Sequence, residues 1–162
     1  MELKNNIIHD AYYLISLFNK EKRPVTQLQI QKLMYFFEAY YLNIHDDEDS
    51  LYECHFNAWA FGPVAIPLYK EFRKYGNGEI ILKEKEIQLG ESIDDNKKTL
   101  LKSIYDAFKD LSPIELVKIT HMKNSPWDEV WKRNGYKVGY GDNTYIDKIK
   151  SKEWFRNTFG KQ

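Results

Sequence analysis

The segment that follows Thr26 constrains the fold more than any other part of the chain. Its apolar residues recur at the i, i+3, i+4 and i+7 spacing of a helix face, at Ile30, Leu33, Met34, Phe37 and Tyr41. Thr26 is a residue type that caps helix N-termini well. Because Phe36 and Tyr40 add apolar surface beside this face, we predict that the segment forms the central helix of the fold.

Weaker patterns of the same kind occur along the rest of the chain. Helical periodicity covers residues 6–19 and 95–111, and proline or serine starts predict further helices near Pro67, Ser112, Ser125 and Ser151. Residues 79–89 alternate imperfectly around Ile80, Leu82, Ile87 and Leu89, a pattern that fits either a short β-hairpin or an extended excursion. The sequence therefore predicts a mainly α fold with about six to seven helices. We expect one domain over residues 1–162, with residues 145–162 as a C-terminal helical extension.

Composition narrows the classes of function. The 24 Lys and Arg residues balance 24 Asp and Glu residues, so the surplus of positive charge that non-specific nucleic-acid binding requires is absent. The single cysteine, Cys54, cannot form an internal disulfide. The N-terminal residues lack the apolar core of a signal peptide, and no apolar stretch approaches membrane-spanning length. We therefore predict a cytoplasmic protein that does not bind membranes.

The residues that carry chemistry do not form a recognisable catalytic or metal-binding pattern. His9, His45, His55 and His121 are scattered, without the i+3 or i+4 partners of a helical metal site. The acidic run 46–49 lacks the alternation and the glycine of a calcium loop. These patterns predict no catalytic residues, no metal and no cofactor, and a structural role for His121 at a helix C-terminus.

Aromatic residues make up 15% of the chain, more than a core of this size requires, so some can serve as anchors of a protein interface. The run around Trp59, Phe61, Val64, Ile66 and Tyr69 is most simply read as core. The aromatic residues in polar surroundings are the better candidates for partner binding, and these are Tyr136, Tyr140, Tyr145 and Trp154.

Several segments together resemble the Panacea domain family, which includes SocA-like antitoxins and phage-associated GepA-like proteins. The first segments are Gln31-Lys32-Leu33-Met34-Tyr35, then Ala58-Trp59 through Gly62-Pro63-Val64, then Pro67, Tyr69 and Phe72. The last is Thr120-His121 followed by Ser125-Pro126-Trp127. Each motif alone is weak, but their order and spacing agree over residues 10–130.

The resemblance implies an antitoxin that is encoded beside a toxin gene and neutralises the toxin by direct contact. It also implies a second possible partner, a protease of the ClpXP type, because SocA-like proteins include adaptors that deliver a toxin for degradation. The matched motif residues are expected to be mostly structural, and these are Lys32, Tyr35, Trp59, Gly62, Pro63, Tyr69, His121, Pro126 and Trp127.

Three other functions remain open. An enzyme would require Lys32, Tyr69, His121 and Trp127 to converge on a polar pocket. A DNA-binding autoregulator would require a basic helix, for which Lys97-Lys98 or Lys148, Lys150 and Lys152 are the best available residues. A phage protein on this fold could instead act on a host protein.

Overall fold

The computed structural model describes residues 5–136 and 144–160. Two strands in this part of the chain are β1 (Phe56–Trp59) and β2 (Gly62–Ala65). Eight α-helices are present there: α1 (Ile7–Lys20), α2 (Gln27–Ile44), α3 (Ile66–Phe72), α4 (Glu84–Glu91), α5 (Asp95–Phe108), α6 (Pro113–Thr120), α7 (Pro126–Arg133) and α8 (Lys148–Phe159). One 3₁₀ turn, Arg73–Tyr75, extends α3. The prediction of a mainly α fold is confirmed, with one helix more than the upper expectation.

Helix α2 is the centre of the fold, as its sequence predicts. The Thr26 side chain accepts a hydrogen bond from the Gln29 N–H, and the Gln29 side chain accepts one from the Thr26 N–H, so the helix begins with a capping box. Twelve of its 18 residues are buried, because α1, α5, α6, α8 and the hairpin all pack around it. Such all-round burial is expected of a helix that is apolar on more than one face.

Of the two alternatives for residues 79–89, the hairpin is wrong: the segment begins as an extended stretch and continues as helix α4, which the pattern did not predict. The side chain of Asn19 donates to the Ile80 carbonyl (3.0 Å) and accepts from the Leu82 N–H (3.0 Å). The Ile80 N–H donates to the Val25 carbonyl (2.9 Å). These groups take the hydrogen bonds that a second strand would otherwise take, so Ile80 and Leu82 are buried without strand pairing.

The β-hairpin lies at residues 56–65 instead. Its antiparallel register pairs Phe56 with Ala65 and Trp59 with Gly62, which leaves Ala60 and Phe61 as a two-residue loop. Strand β2 is buried along its whole length. A strand that is covered on both faces shows a continuous apolar run rather than alternation, which is why the periodicity does not reveal it.

Helix α8 packs along α2 and also contacts α7. It begins three residues before the predicted Ser151, because the Asp147 carboxylate accepts from the N–H groups of Ile149 (2.8 Å) and Lys150 (3.0 Å). The Ser151 hydroxyl instead hydrogen-bonds Tyr35 Oη (2.7 Å). None of the helices within residues 5–136 and 144–160 has the length and apolarity needed to cross a bilayer.

Candidate functional site

Two consecutive side chains of α2 bind the outer edge of β2. Gln31 Nε2 donates to the Ala65 carbonyl (3.2 Å), and the Ala65 N–H donates to Gln31 Oε1 (2.8 Å). Lys32 Nζ donates to the Pro63 carbonyl (3.2 Å), and Pro63 itself has no N–H to satisfy. The edge that β2 turns away from β1 is therefore covered by side chains rather than left open for strand pairing.

The ammonium group of Lys32 lies in a dry environment. The residue is fully buried, and within the described part of the chain its hydrogen bond to Pro63 is its only one and no carboxylate pairs with it. Removal from water penalises the charged form, so burial lowers the pKa of Lys32 from 10.5 to about 7. The pKa of His121 is lowered by its own partial burial and by the nearby Lys32, with Asp128 acting in the opposite direction.

Gly62 allows Lys32 to pass beneath the hairpin. Its φ of +110° is a conformation that residues with a side chain rarely adopt. A Cβ at this position would lie 2.6 Å from Lys32 Cε and 2.8 Å from Thr120 Oγ1, both far inside contact distance. Glycine is therefore required here both by the backbone and by the close approach of α2 and α6.

The junction between α6 and α7 holds the hairpin from the other side. Trp127 Nε1 donates to the Trp59 carbonyl at the end of β1 (2.7 Å). The His121 ring, at the C-cap of α6, stacks on Trp127 with 3.6 Å between ring centroids and 8° between planes. The Ser125 hydroxyl donates to the Thr120 carbonyl (2.8 Å) and accepts from the Asp128 N–H (3.1 Å), which fixes the turn between the helices. The hairpin is thus anchored on both sides.

The segments that build this anchor lie within a range of the chain that matches a known family. The family model described as "Antitoxin SocA-like, Panacea domain" matches residues 30–128, more than half of the chain. The chain belongs to this family. The matched range begins one residue before Gln31, ends one residue after Trp127, and contains the α2, hairpin and α6–α7 contacts described above.

Comparison with characterised proteins gives the same assignment. Antitoxin SocA of Caulobacter vibrioides (strain NA1000 / CB15N) is 29% identical over 126 residues, which are 73% of this chain and 66% of that protein. The chain thus spans just under two thirds of the relative's length. No solved structure matches the chain significantly.

The structure brings most of the predicted motif residues together at the anchor, namely Lys32, Trp59, Gly62, Pro63, His121, Pro126 and Trp127. Tyr35 lies on another side of α2, where its ring packs edge-on against Phe56 (5.4 Å between centroids). Tyr69 contacts the Trp59 ring (5.2 Å), but 36% of its surface is exposed, so the expectation that it faces the core is wrong. Lys32, His121 and Trp127 therefore converge in a largely buried setting rather than in an open polar cleft.

The residues predicted to bind a partner occupy different environments. Tyr136 is 62% exposed and has a φ of +61°. The Tyr145 ring stacks on His55, with centroids 4.3 Å apart and planes within 2°. Trp154 is half-buried and packs against Tyr35 and the aromatic side chains around it. Tyr140 lies outside the described residues.

The sequence interpretation did not predict an apolar groove on the described part of the surface. Phe61, expected in the core, is 66% exposed at the hairpin loop, and Ile114 at the start of α6 is 60% exposed. Both residues line one groove of about 700 Å³, here called the hairpin groove. Its lining residues are Thr26, Gln27, Leu28, Gln31, Trp59, Ala60, Phe61, Val64, Tyr69, Gly76, Asn77, Pro113 and Ile114. The sequence feature that could have indicated this exposure is the spacing of two residues between Trp59 and Gly62, which is typical of a hairpin turn and would place Phe61 in it.

The lysines considered for DNA binding all contact carboxylates. Lys97 forms a buried ion pair with Asp10 (2.9 Å), and Lys148 forms one with Glu38 (2.9 Å). The three lysines that are more exposed also form ion pairs, and these are Lys98 with Glu91, Lys150 with Glu129 and Lys152 with Asp46. Their charges are therefore locally compensated rather than gathered into a basic surface.

Proposed function

We propose that this chain is an antitoxin that neutralises a protein toxin by direct, stoichiometric contact and catalyses no reaction. The observation that carries the proposal is the relation between the family match and the hairpin. The segments matched by the antitoxin family build a buried anchor, and this anchor holds an exposed apolar loop in a fixed position. A surface that is already ordered loses little conformational entropy when it binds, which favours tight association.

The buried state of the polar motif residues supports a structural role for them rather than a catalytic one. A general base or nucleophile must come within hydrogen-bonding distance of its substrate. The Lys32 amine is enclosed by the hairpin, and the His121 ring is covered on one face by Trp127. These groups serve best as supports of the hairpin.

The proposal is tested by expressing the gene that neighbours this one, alone and together with this chain. We expect the neighbouring product to arrest growth, co-expression to restore it, and the two proteins to co-purify at a fixed ratio. An inert neighbour, or growth arrest that persists although both proteins are soluble, would refute the proposal.

Neutralisation by degradation is a separate mechanism, in which the antitoxin delivers the toxin to a ClpXP-type protease. It predicts that the half-life of the toxin falls when this chain is present and that the fall disappears in cells lacking ClpX. Neutralisation by binding alone predicts an unchanged or longer half-life in both strains. Pulse-chase measurement in the two strains separates the mechanisms.

A further inference from the structure

We propose that the hairpin groove receives an uncharged, apolar segment of the toxin, held between Phe61 on one wall and Ile114 on the other. The inference rests on the proposed antitoxin function and adds to it the binding surface and the chemistry of the segment that binds there.

The side chains of Phe61 and Ile114 are both largely exposed to solvent. Phe61 and Ile114 are among the most exposed large apolar side chains of the described residues, and both line one groove. Apolar side chains that are exposed singly are ordinary on protein surfaces, whereas a groove flanked by two of them is typical of a docking site. Val64 and Leu28 also line the groove and extend its apolar surface.

The absence of charge in the groove defines the occupant. None of the described residues that line it is Asp, Glu, Lys or Arg. A charged side chain of the partner would lose its hydration here and find no counter-charge, which is strongly unfavourable. Gln31, the polar residue nearest to β2, already uses its amide on Ala65. The groove therefore selects an apolar segment and disfavours an acidic or basic one.

The anchor beneath the hairpin explains how the groove keeps its shape. The Gln31 and Lys32 side chains hold β2, and the Trp127 indole holds the end of β1. The wall that carries Phe61 is therefore fixed before binding. The second wall begins at the N-terminus of α6, where the Ser112 and Glu115 side chains cap the helix.

Binding affinity for the neighbouring gene's product is the first test, measured by titration calorimetry on the full chain. We expect Phe61→Ala and Ile114→Ala each to weaken binding roughly 10- to 100-fold, the range of interface anchors. Ile114→Lys should weaken it further, because it places a charge in the groove. Ile81→Ala, Ile81→Lys and Met122→Ala are matched controls, since Ile81 and Met122 are 57% and 45% exposed and do not line the groove. These controls should bind as wild type does.

The second test identifies the occupant directly. A photo-reactive benzoylphenylalanine replaces Phe61 or, as a control, Ile81, and the cross-linked peptide is identified by mass spectrometry. We expect position 61 to cross-link a toxin peptide without charged residues at the point of attachment, and position 81 to give no such product.

The outcomes separate the two proposals. If the toxin binds wild type and all groove variants equally, or cross-links through a charged segment, the groove assignment is wrong and the antitoxin function stands. If position 61 cross-links a second copy of this chain in the presence of toxin, the groove is a self-association surface and the assignment is wrong. If the neighbouring product does not bind wild type at all, both proposals fail.

Discussion

Replacement of Lys32 by methionine is expected to remove a pH dependence from the stability of the protein. In the folded chain burial lowers the pKa of Lys32 from 10.5 to about 7, whereas in the unfolded chain the ammonium is hydrated and keeps its ordinary value. Between these two pH values the unfolded state binds more protons than the folded state. The contribution of Lys32 to the free energy of unfolding therefore increases as the pH rises from about 7 towards 10.5.

The size of the effect follows from the pKa difference. Linkage gives about 1.4 kcal/mol for each pH unit in which only the unfolded state is protonated. The free energy of unfolding of the wild type relative to Lys32→Met should therefore increase by about 2 kcal/mol between pH 7 and pH 9. The comparison with Lys32→Met cancels the titration of groups that Lys32 does not influence. The loss of the hydrogen bond to Pro63 does not depend on pH in this comparison. His121, whose pKa is lowered in part by Lys32, keeps a small contribution near pH 7.

The assay is urea denaturation of both proteins at several pH values, with Lys118→Met as a control at an exposed lysine of α6. The difference in free energy of unfolding between wild type and Lys118→Met should stay constant with pH. The reasoning would be refuted if the difference in free energy of unfolding between wild type and Lys32→Met also stayed constant with pH, within about 0.5 kcal/mol. It would show that the Lys32 ammonium remains hydrated or paired in the folded state.

Three further substitutions test the anchor by chemical denaturation. Gly62→Ala should lower the free energy of unfolding by about 2–4 kcal/mol, through backbone strain and overlap with the buried Lys32 side chain. Gly76→Ala is the control, because Gly76 also has a positive φ but open space around it, and it should cost only about 1–2 kcal/mol. Equal costs would contradict the close approach of Lys32 to Gly62. Gln31→Met should cost about 2–4 kcal/mol, because both backbone groups of Ala65 lose their partner, and a cost below about 1 kcal/mol would mean that the edge of β2 is satisfied otherwise. Trp127→Phe should cost about 1 kcal/mol by losing the indole hydrogen bond while keeping the stacked ring; a neutral result would remove that bond from the anchor.

The helices whose signals are local could be predicted from the sequence. Helix α2 has apolar residues at helical spacing and a capping residue, and α6 and α7 each begin with a serine cap followed by proline. Hydrogen bonds within four residues fix such starts, so no knowledge of distant contacts is needed. The resemblance of the motif residues to an antitoxin family was also visible before the structure, since it depends only on order and spacing.

The features that depend on distant contacts could not be predicted. The local pattern near residue 80 fits a hairpin and an extended stretch equally well, and the backbone hydrogen bonds to Asn19 and Val25 decide for the extended stretch. Helix α4 packs so closely on α1 that a Cβ on Gly90 would lie 2.8 Å from the Tyr13 backbone nitrogen. A glycine inside a short helix could have suggested such an approach, but not its partner.

The groove depends on the direction in which the hairpin loop points. An apolar run such as residues 56–64 is equally compatible with a buried segment and with a loop that presents Phe61 to solvent. Only the contacts of β2 with α2 and of Trp59 with Trp127 decide between them. These contacts join residues from about 30 to nearly 70 positions apart in the chain.

The most direct test of the central claim is hydrogen exchange of the chain with and without the co-purified toxin. A toxin bound to the anchored hairpin predicts slower exchange of the backbone amides of residues 59–62 and 64, and of Ile114 in the first turn of α6, with little change in α5. Protection confined to α8 and the neighbourhood of Tyr145, with the hairpin unchanged, would contradict the claim.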